Sequence, residues 1–365
     1  MKYYIITGEA SGDLHASNLI KALKIVDPDA SFRGWGGDKM AREGTTIVKH
    51  YRDLAFMGFI EVVANLKTIL NNLNFCKKDI LGFKPDAVIL IDYPGFNLQV
   101  ARFLHQQHIR TIYYISPQVW AWKKSRVHTI KKLVDKLLVI LPFEKDFFAT
   151  YQVDAEFVGH PLLDALPAEW HRLACVPYDK RTVALLPGSR KQEIRRVLPI
   201  MLSVLQDFTE INFVIAGIST IGESFYRAIT KSHHIEIVMD DTYNLLQKSQ
   251  AALVTSGTAT LETALIGVPE VVCYHANRIS YSIARQLVKV KYISLVNLIM
   301  NRLVVKELIQ YELNRQTLRS ELNNLLNNTK YQQDMLNSYD ELRNMLGGKG
   351  ASERAANSIY GFLTA

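Results

Sequence analysis

Short apolar runs without polar alternation constrain this chain more than any other feature. Ala87-Val-Ile-Leu-Ile91 and Ala251-Ala-Leu-Val-Thr255 are five residues long and apolar almost throughout. A strand of that kind is buried on both faces, as in parallel sheets covered by helices on each side. Similar runs cover residues 3–7, 31–34, 111–115 and 136–140 in the first half, and 182–186, 212–216, 235–238 and 270–273 in the second. Stretches of helical period, such as residues 15–26 and 98–107, lie between them. This order predicts an α/β fold with two Rossmann-like, doubly wound parallel sheets. At 365 residues the chain is also too long for one ordinary core. We place a first domain over residues 1–165 and a second over 166–345. The join at 164–181 carries Pro167 and Pro177 and has no clean period. Residues 292–298 read as a loop able to close over a ligand. From residue 306 onward the pattern is mostly helical, with a helix pair over 313–340. Gly347-Gly348 breaks the chain before a last helix, 346–365, expected to return to the first domain.

The balance is basic, +8 with a pI of about 9.2, which fits an anionic partner such as a nucleotide, a phosphorylated substrate or an acidic membrane face. No apolar run approaches the ~18 residues of a membrane span. The chain runs directly into its first strand, so no signal peptide is expected. Cys76, Cys175 and Cys273 are scattered without C-x-x-C spacing and read as reduced thiols of a cytoplasmic protein. The ten histidines show no ligand spacing, and Asp27-Pro-Asp29 closes a helix as a turn, so no metal site is expected. Lys and Arg are spread over many helices rather than along one stripe, which argues against nucleic acid.

Ligands on doubly wound sheets gather at the carboxyl ends of strands, so the loops after strands carry the functional information. Gly8-Glu-Ala-Ser-Gly-Asp13 and Gly34-Trp-Gly-Gly37 are Gly-rich but lack the G-x-G-x-x-G spacing of a dinucleotide site. Either they admit a substrate closely, or they are turns capped by Ser11 or Asp13. Asp92 ends a strand where a carboxylate can take a proton from a hydroxyl, or can bind turn N–H groups ahead of Pro94-Gly95. Ser116-Pro-Gln-Val-Trp-Ala-Trp122 places Trp120 and Trp122 in one loop, against a sugar, an acyl chain or the core. Leu185-Leu-Pro-Gly-Ser-Arg190 offers donors from Gly188 and Ser189 and a fork from Arg190 to a phosphate. In Ser256-Gly-Thr-Ala-Thr-Leu-Glu262, a helix opens at Thr258 after Gly257. Its unpaired N–H groups suit a diphosphate, and Glu262 stands one turn in, near a ribose or sugar hydroxyl. The alternative is an ordinary strand-to-helix turn with a Thr cap. Both loops should point into one crevice.

Residues 58–78 repeat Phe59, Val62, Val63, Leu66, Ile69, Leu70 and Leu73 at helical spacing, with Lys67, Lys77 and Lys78 around the stripe. Such a helix packs on a sheet or rests on an anionic membrane.

These motifs, with Phe56-Met-Gly-Phe-Ile-Glu-Val62, Leu141-Pro-Phe-Glu-Lys145, Gly159-His160 and Val305-Lys-Glu-Leu308, resemble the lipid-A-disaccharide synthase family along nearly the whole chain. Gly95 stands where some members have Asp, and Val296 where Pro often precedes the Asn matched by Asn297. The resemblance implies a GT-B glycosyltransferase whose two domains face a cleft, with the acceptor and lipid on the first domain and the UDP-sugar on the second. It implies inverting transfer from UDP-2,3-diacylglucosamine to 2,3-diacylglucosamine 1-phosphate, giving a β-1,6-linked disaccharide 1-phosphate and UDP, with no metal or cofactor. Asp92 and Arg190 are then the catalytic residues. Gly188, Ser189, Arg190, Ser256, Gly257, Thr258, Glu262 and Asn297 hold the donor. Glu9, Ser11, Asp13, Trp120, Trp122, Leu66 and Ile69 lie on the acceptor or lipid side. The expected setting is the cytoplasmic face of a Gram-negative inner membrane, bound peripherally, with a second copy of the chain as a further candidate partner. A UDP-sugar epimerase on the same scaffold is the alternative.

Overall fold

The computed structural model describes residues 1–54, 66–122, 125–166, 181–231, 233–277 and 291–365. The chain divides into two compact units, one of Met1–Ala165 with Leu346–Ala365, the other of Leu166–Met345. Each unit is built on one parallel sheet.

In the first unit the strands are β1 (Lys2–Ile6), β2 (Ser31–Gly36), β3 (Thr46–His50), β4 (Ala87–Ile91), β5 (Arg110–Tyr114), β6 (Lys136–Val139) and β7 (Ala155–Phe157). Their order is β3-β2-β1-β4-β5-β6-β7. Alternate residues feed two cores. Tyr3, Ile5 and Ile89 pack against the helices Ala10–Val26 and Ala351–Thr364. Tyr4, Ile6 and Leu90 pack against Leu66–Phe83, Pro94–Gln106 and Ser125–Leu133. The period of two along each strand thus serves both faces at once. The sequence reading missed β3 and β7. Both are sheet edges, only partly buried, and their polar residues hide the apolar signal.

Asp164 explains how the last helix docks. Its carboxylate accepts the backbone N–H groups of Gly350, Ala351 and Ser352, at 2.7 Å for the first and last. Arg354 Nε donates to the Val158 carbonyl at 2.8 Å.

The second unit contains β8 (Thr182–Leu186), β9 (Asn212–Gly217), β10 (Glu236–Met239), β11 (Ala251–Thr255), β12 (Glu270–Tyr274) and β13 (Lys306–Ile309), in the order β10-β9-β8-β11-β12-β13. β13 corrects the expectation of helix from residue 306. Lys-Glu-Leu-Ile is a short edge strand beside β12, with polar residues at half its positions. The expected loop at 292–298 is largely the helix Leu295–Met300, whose Val296 and Asn297 are buried. The helix pair near the end is Arg315–Asn327 and Thr329–Met345. Cys175, most of the join and residues 58–65 of the amphipathic stripe lie outside the described residues.

The first helix starts at Ala10 rather than at residue 15, so Ser11 and Asp13 sit inside it. Asp13, expected on the acceptor side, is buried, and its carboxylate is taken up by the chain itself. Its carboxylate accepts from Gly37 N at 2.8 Å, Lys39 N at 3.0 Å and Met40 N at 3.1 Å, closing the start of the short helix Asp38–Arg42. Asp13→Ala leaves these buried donors unpaired. We expect it to lower the stability of this unit by about 3 kcal/mol, read as an earlier urea midpoint, with Asp13→Asn losing less.

Candidate active site

Both sheets share one winding order, and in each the crossovers change face between two neighbouring strands, β1 and β4 in the first unit and β8 and β11 in the second. The loops leaving those four strands are the ones the sequence marks. A crevice at the strand ends is the natural ligand site of such a sheet.

In the first unit β1 delivers Gly8-Glu9 and β4 delivers Asp92-Tyr93. Gly8 has no room for a side chain, because a Cβ there would lie 2.4 Å from the Tyr93 ring. Asp92 and Tyr93 both have left-handed backbone, with φ of 45° and 48°. Such a pair of non-glycine residues is strained and needs outside support. The support converges on one atom. The Asp92 carbonyl accepts from Asn97 Nδ2 at 2.7 Å and from the Tyr113 hydroxyl at 2.7 Å. Asn97 and Tyr113 are fully buried. The helix Pro94–Gln106 then begins directly after Tyr93, so the turn holds Asp92 at the carboxyl end of β4. Burial pushes the Asp92 carboxyl up to about 6, helped by the negative charge of Glu9, while the Tyr93 backbone N–H pulls it down. A carboxylate with that pKa suits proton abstraction near neutrality. Sequence reasoning missed Asn97 and Tyr113 as its supports. A buried polar residue one helical turn after a catalytic candidate is the signal that would have found Asn97.

The aromatic loop is anchored by Glu144, another residue the sequence reading did not single out as a site. Glu144 accepts from Ser116 Oγ at 2.9 Å, Trp120 Nε1 at 3.2 Å, and the backbone N–H groups of Ile140 and Leu141. Burial pushes its carboxyl up to about 7 against the pull of those four donors. Trp120 is half-buried and meets the Phe143 ring edge-on at 5.0 Å. Trp122 ends the short helix Val119–Trp122. Ser11 is exposed and Glu9 partly so. Leu66 opens the helix Leu66–Phe83, on which Ile69 is half-buried and Leu70 is 55% exposed.

In the second unit the two marked loops meet. Gly188 has a φ of 113°, and a Cβ there would come within 3.5 Å of Thr255 Cγ2 and 2.8 Å of Glu193 Oε2. Ser189 and Arg190 lead into the helix Lys191–Leu202, and Arg190 Nη1 pairs with Glu193 Oε1 at 3.1 Å. The helix Thr258–Ile266 starts after Gly257 without a side-chain cap, and Thr260 N donates to the Gly257 carbonyl at 3.2 Å; such a helix start is the positive end of the dipole. Ser256 Oγ donates to the Ile293 carbonyl at 3.1 Å and has to turn from it to serve a phosphate. Glu262 accepts the Tyr243 hydroxyl at 2.9 Å, and burial raises its pKa. Both residues line a cavity of about 550 Å³ with Gly217, Ile218 and Asp240. Tyr243 is a partner that the sequence did not reveal.

Asn297 needs correction as a donor ligand. It is fully buried and its amide is spent inside the unit. Nδ2 donates to the Val305 carbonyl and Glu307 Oε1, and Oδ1 accepts from Val304 N and Val305 N. Together with Glu307 it ties the helix Leu295–Met300 to β13.

A family model described as lipid-A-disaccharide synthetase matches residues 3–358. The chain belongs to the lipid-A-disaccharide synthase family. It is 41% identical to the lipid-A-disaccharide synthase of Syntrophus aciditrophicus, over 96% of this chain and 95% of that one. It is 36% identical to that of Geobacter metallireducens, over 98% and 96%. The family makes the chain a glycosyltransferase of lipid A biosynthesis. Among solved structures it is similar to a UDP-GlcNAc 2-epimerase from Neisseria meningitidis, with a TM-score of 0.69 and 13% identity over 99% of this chain and 100% of that one. It is likewise similar to the spinosyn rhamnosyltransferase SpnG, with a TM-score of 0.60 and 12% identity over 100% of both chains. These two likenesses show the GT-B fold alone, so the epimerase alternative has only the scaffold behind it.

The raised carboxyl of Asp92 predicts a pH dependence of stability and, if Asp92 serves as a base, of rate. Asp92 is raised above its unfolded value, so its charge opposes folding above about pH 6, and that penalty fades as pH falls through about 6. We expect turnover to drop as the pH is lowered through about 6. Asp92→Asn should raise the Tm more at pH 7.5 than at pH 5, as followed by thermal denaturation at the two pH values.

Proposed function

We propose that the enzyme transfers the diacylglucosamine of UDP-2,3-diacylglucosamine to the 6-hydroxyl of 2,3-diacylglucosamine 1-phosphate, with inversion. The acceptor oxygen attacks the anomeric carbon, its proton passes to the Asp92 carboxylate, and the bond to the diphosphate breaks to release UDP. The observation that carries this reading is the placement of Asp92: a carboxylate locked in a left-handed turn at the end of β4, with its carbonyl held by Asn97 and Tyr113. Glu9 and Trp120 lie on the acceptor side of the same proposal, with Ser11 and Trp122 nearby in sequence.

The departing diphosphate carries the charge that the second unit is built to receive. The start of the helix Thr258–Ile266, the donors of Gly188, Ser189 and Ser256, and the Arg190 fork supply it. Glu262 takes the ribose, in the cavity it shares with Tyr243. In this reading no resident cofactor or metal takes part, because a helix end and an arginine do the neutralising.

Lipid substrates and the exposed apolar residues Leu70, Phe75 and Leu81 support peripheral binding at the inner membrane of a Gram-negative cell. None of the described helices is long and apolar enough to cross a membrane.

Asp92→Asn should abolish disaccharide formation while UDP still binds, measured by product analysis and by calorimetry. Retained turnover would remove Asp92 from the role of base. Arg190→Ala should cost about 100-fold in rate; a variant with unchanged donor KM and kcat would take Arg190 off the diphosphate.

A further inference from the structure

The first unit distributes charge unevenly between the two faces of its sheet. The helices Leu66–Phe83, Pro94–Gln106, Ser125–Leu133 and Pro142–Ala149 cover one face and carry eight lysines and arginines against three acids, Asp79, Glu144 and Asp146. Asp79 is already occupied, since Arg33 grips it with bonds of 2.7 and 3.0 Å, and Glu144 is taken up by the aromatic loop. The two long helices on the opposite face, Ala10–Val26 and Ala351–Thr364, carry three basic and two acidic residues. The excess charge therefore belongs to one layer.

Within that layer a groove of about 440 Å³ runs between Pro94–Gln106 and Ser125–Leu133. Arg102, His105 and Gln106 line it from one helix, and His128, Thr129 and Lys132 from the other. In each helix the spacing of three to four residues puts them on one face. No acid lines the groove, and among the described residues Arg102 and Lys132 enter no ion pair. Cations gathered without counter-charge repel one another, and an anion between them relieves that repulsion. A phosphate fits the donor set: a planar fork from Arg102, a point charge from Lys132, and imidazole, amide and hydroxyl groups around them.

The same layer selects the source of the phosphate. The helix Leu66–Phe83 shares the core beneath Pro94–Gln106, yet leaves Leu70, Phe75 and Leu81 between 44% and 55% exposed. Basic side chains beside exposed large apolar ones are the chemistry of a bilayer interface, not of a site for a water-borne anion. We infer that the groove between Pro94–Gln106 and Ser125–Leu133 is a headgroup site for an anionic phospholipid, which docks this face of the enzyme on the membrane. The inference rests on the peripheral-membrane reading above and adds to it a specific phosphate site.

The test is flotation of the full chain with vesicles of phosphatidylcholine alone and of phosphatidylcholine mixed with phosphatidylglycerol. Arg102→Ala with Lys132→Ala should weaken binding to the mixed vesicles about 30-fold, the effect of two charges at about 1 kcal/mol each. Binding to neutral vesicles and turnover of detergent-dispersed substrates should stay as in the parent. A second variant, Leu70→Ser with Leu81→Ser, should weaken binding to both kinds of vesicle. Loss in the leucine variant alone overturns the groove and leaves the membrane reading standing. No loss in either variant overturns both. If glycerol phosphate in solution binds the parent as tightly as the mixed vesicles do, and fails to bind the Arg102/Lys132 variant, the groove serves free phosphates and the headgroup assignment is overturned.

Discussion

Right-handed crossovers leave one place in each sheet where neighbouring strands send their chains to opposite faces, and the loops carrying Glu9, Asp92, Gly188 and Thr258 leave the strands on either side of it. A switch point of this kind, between β1 and β4 and between β8 and β11, opens a gap between the helices of the two faces. The gap is a consequence of handedness and strand order, not of any single side chain. Side chains decide only what the gap can do.

The two gaps are furnished in opposite senses. The first presents carboxylates: Asp92 with Glu9 near enough to raise its pKa, in surroundings poor in solvent. The second presents the positive end of a helix, a glycine at positive φ that brings backbone close, and an arginine. Transfer from a diphosphate needs both kinds of environment, one that accepts a proton and one that accepts negative charge. Strain at Asp92 is tolerable because Asn97 and Tyr113 are themselves immobilised in the core, so that the turn has no softer alternative.

Polar residues that look alike in the sequence divide sharply in the structure. Asp13, Asp164, Glu144 and Asn297 all lie near strand ends or helix starts, and all four are consumed by donors from the chain itself. Asp92, by contrast, is held mainly through its backbone carbonyl, with the Tyr93 N–H at its carboxylate. A motif such as Gly-Glu-Ala-Ser-Gly-Asp therefore mixes residues with different duties. Asp13 closes a neighbouring helix, while Glu9 perturbs a carboxyl at the end of the adjacent strand.

Several parts of the fold were legible because they depend on local pattern. Ala87–Ile91, Thr182–Leu186 and Ala251–Thr255 are strands with the expected bounds, since a wholly buried strand has to be apolar at nearly every position. The candidate loops followed from those strands, and the motifs in them carry the resemblance to the family. The edge strands β3, β7 and β13 did not, because an edge is half solvated and its composition resembles a loop. Nor did the destinations of Asp13 and Asn297, whose partners lie 24 to 27 and 7 to 10 residues away in sequence. By itself the sequence determined which segments are buried and where the chain must turn, because hydrophobic burial and backbone sterics act over a few residues. Only the tertiary structure decided which polar groups are spent on the protein's own backbone and which are left for chemistry. A hydrogen bond depends on where the folded chain brings its donors, and that is a property of the whole sheet.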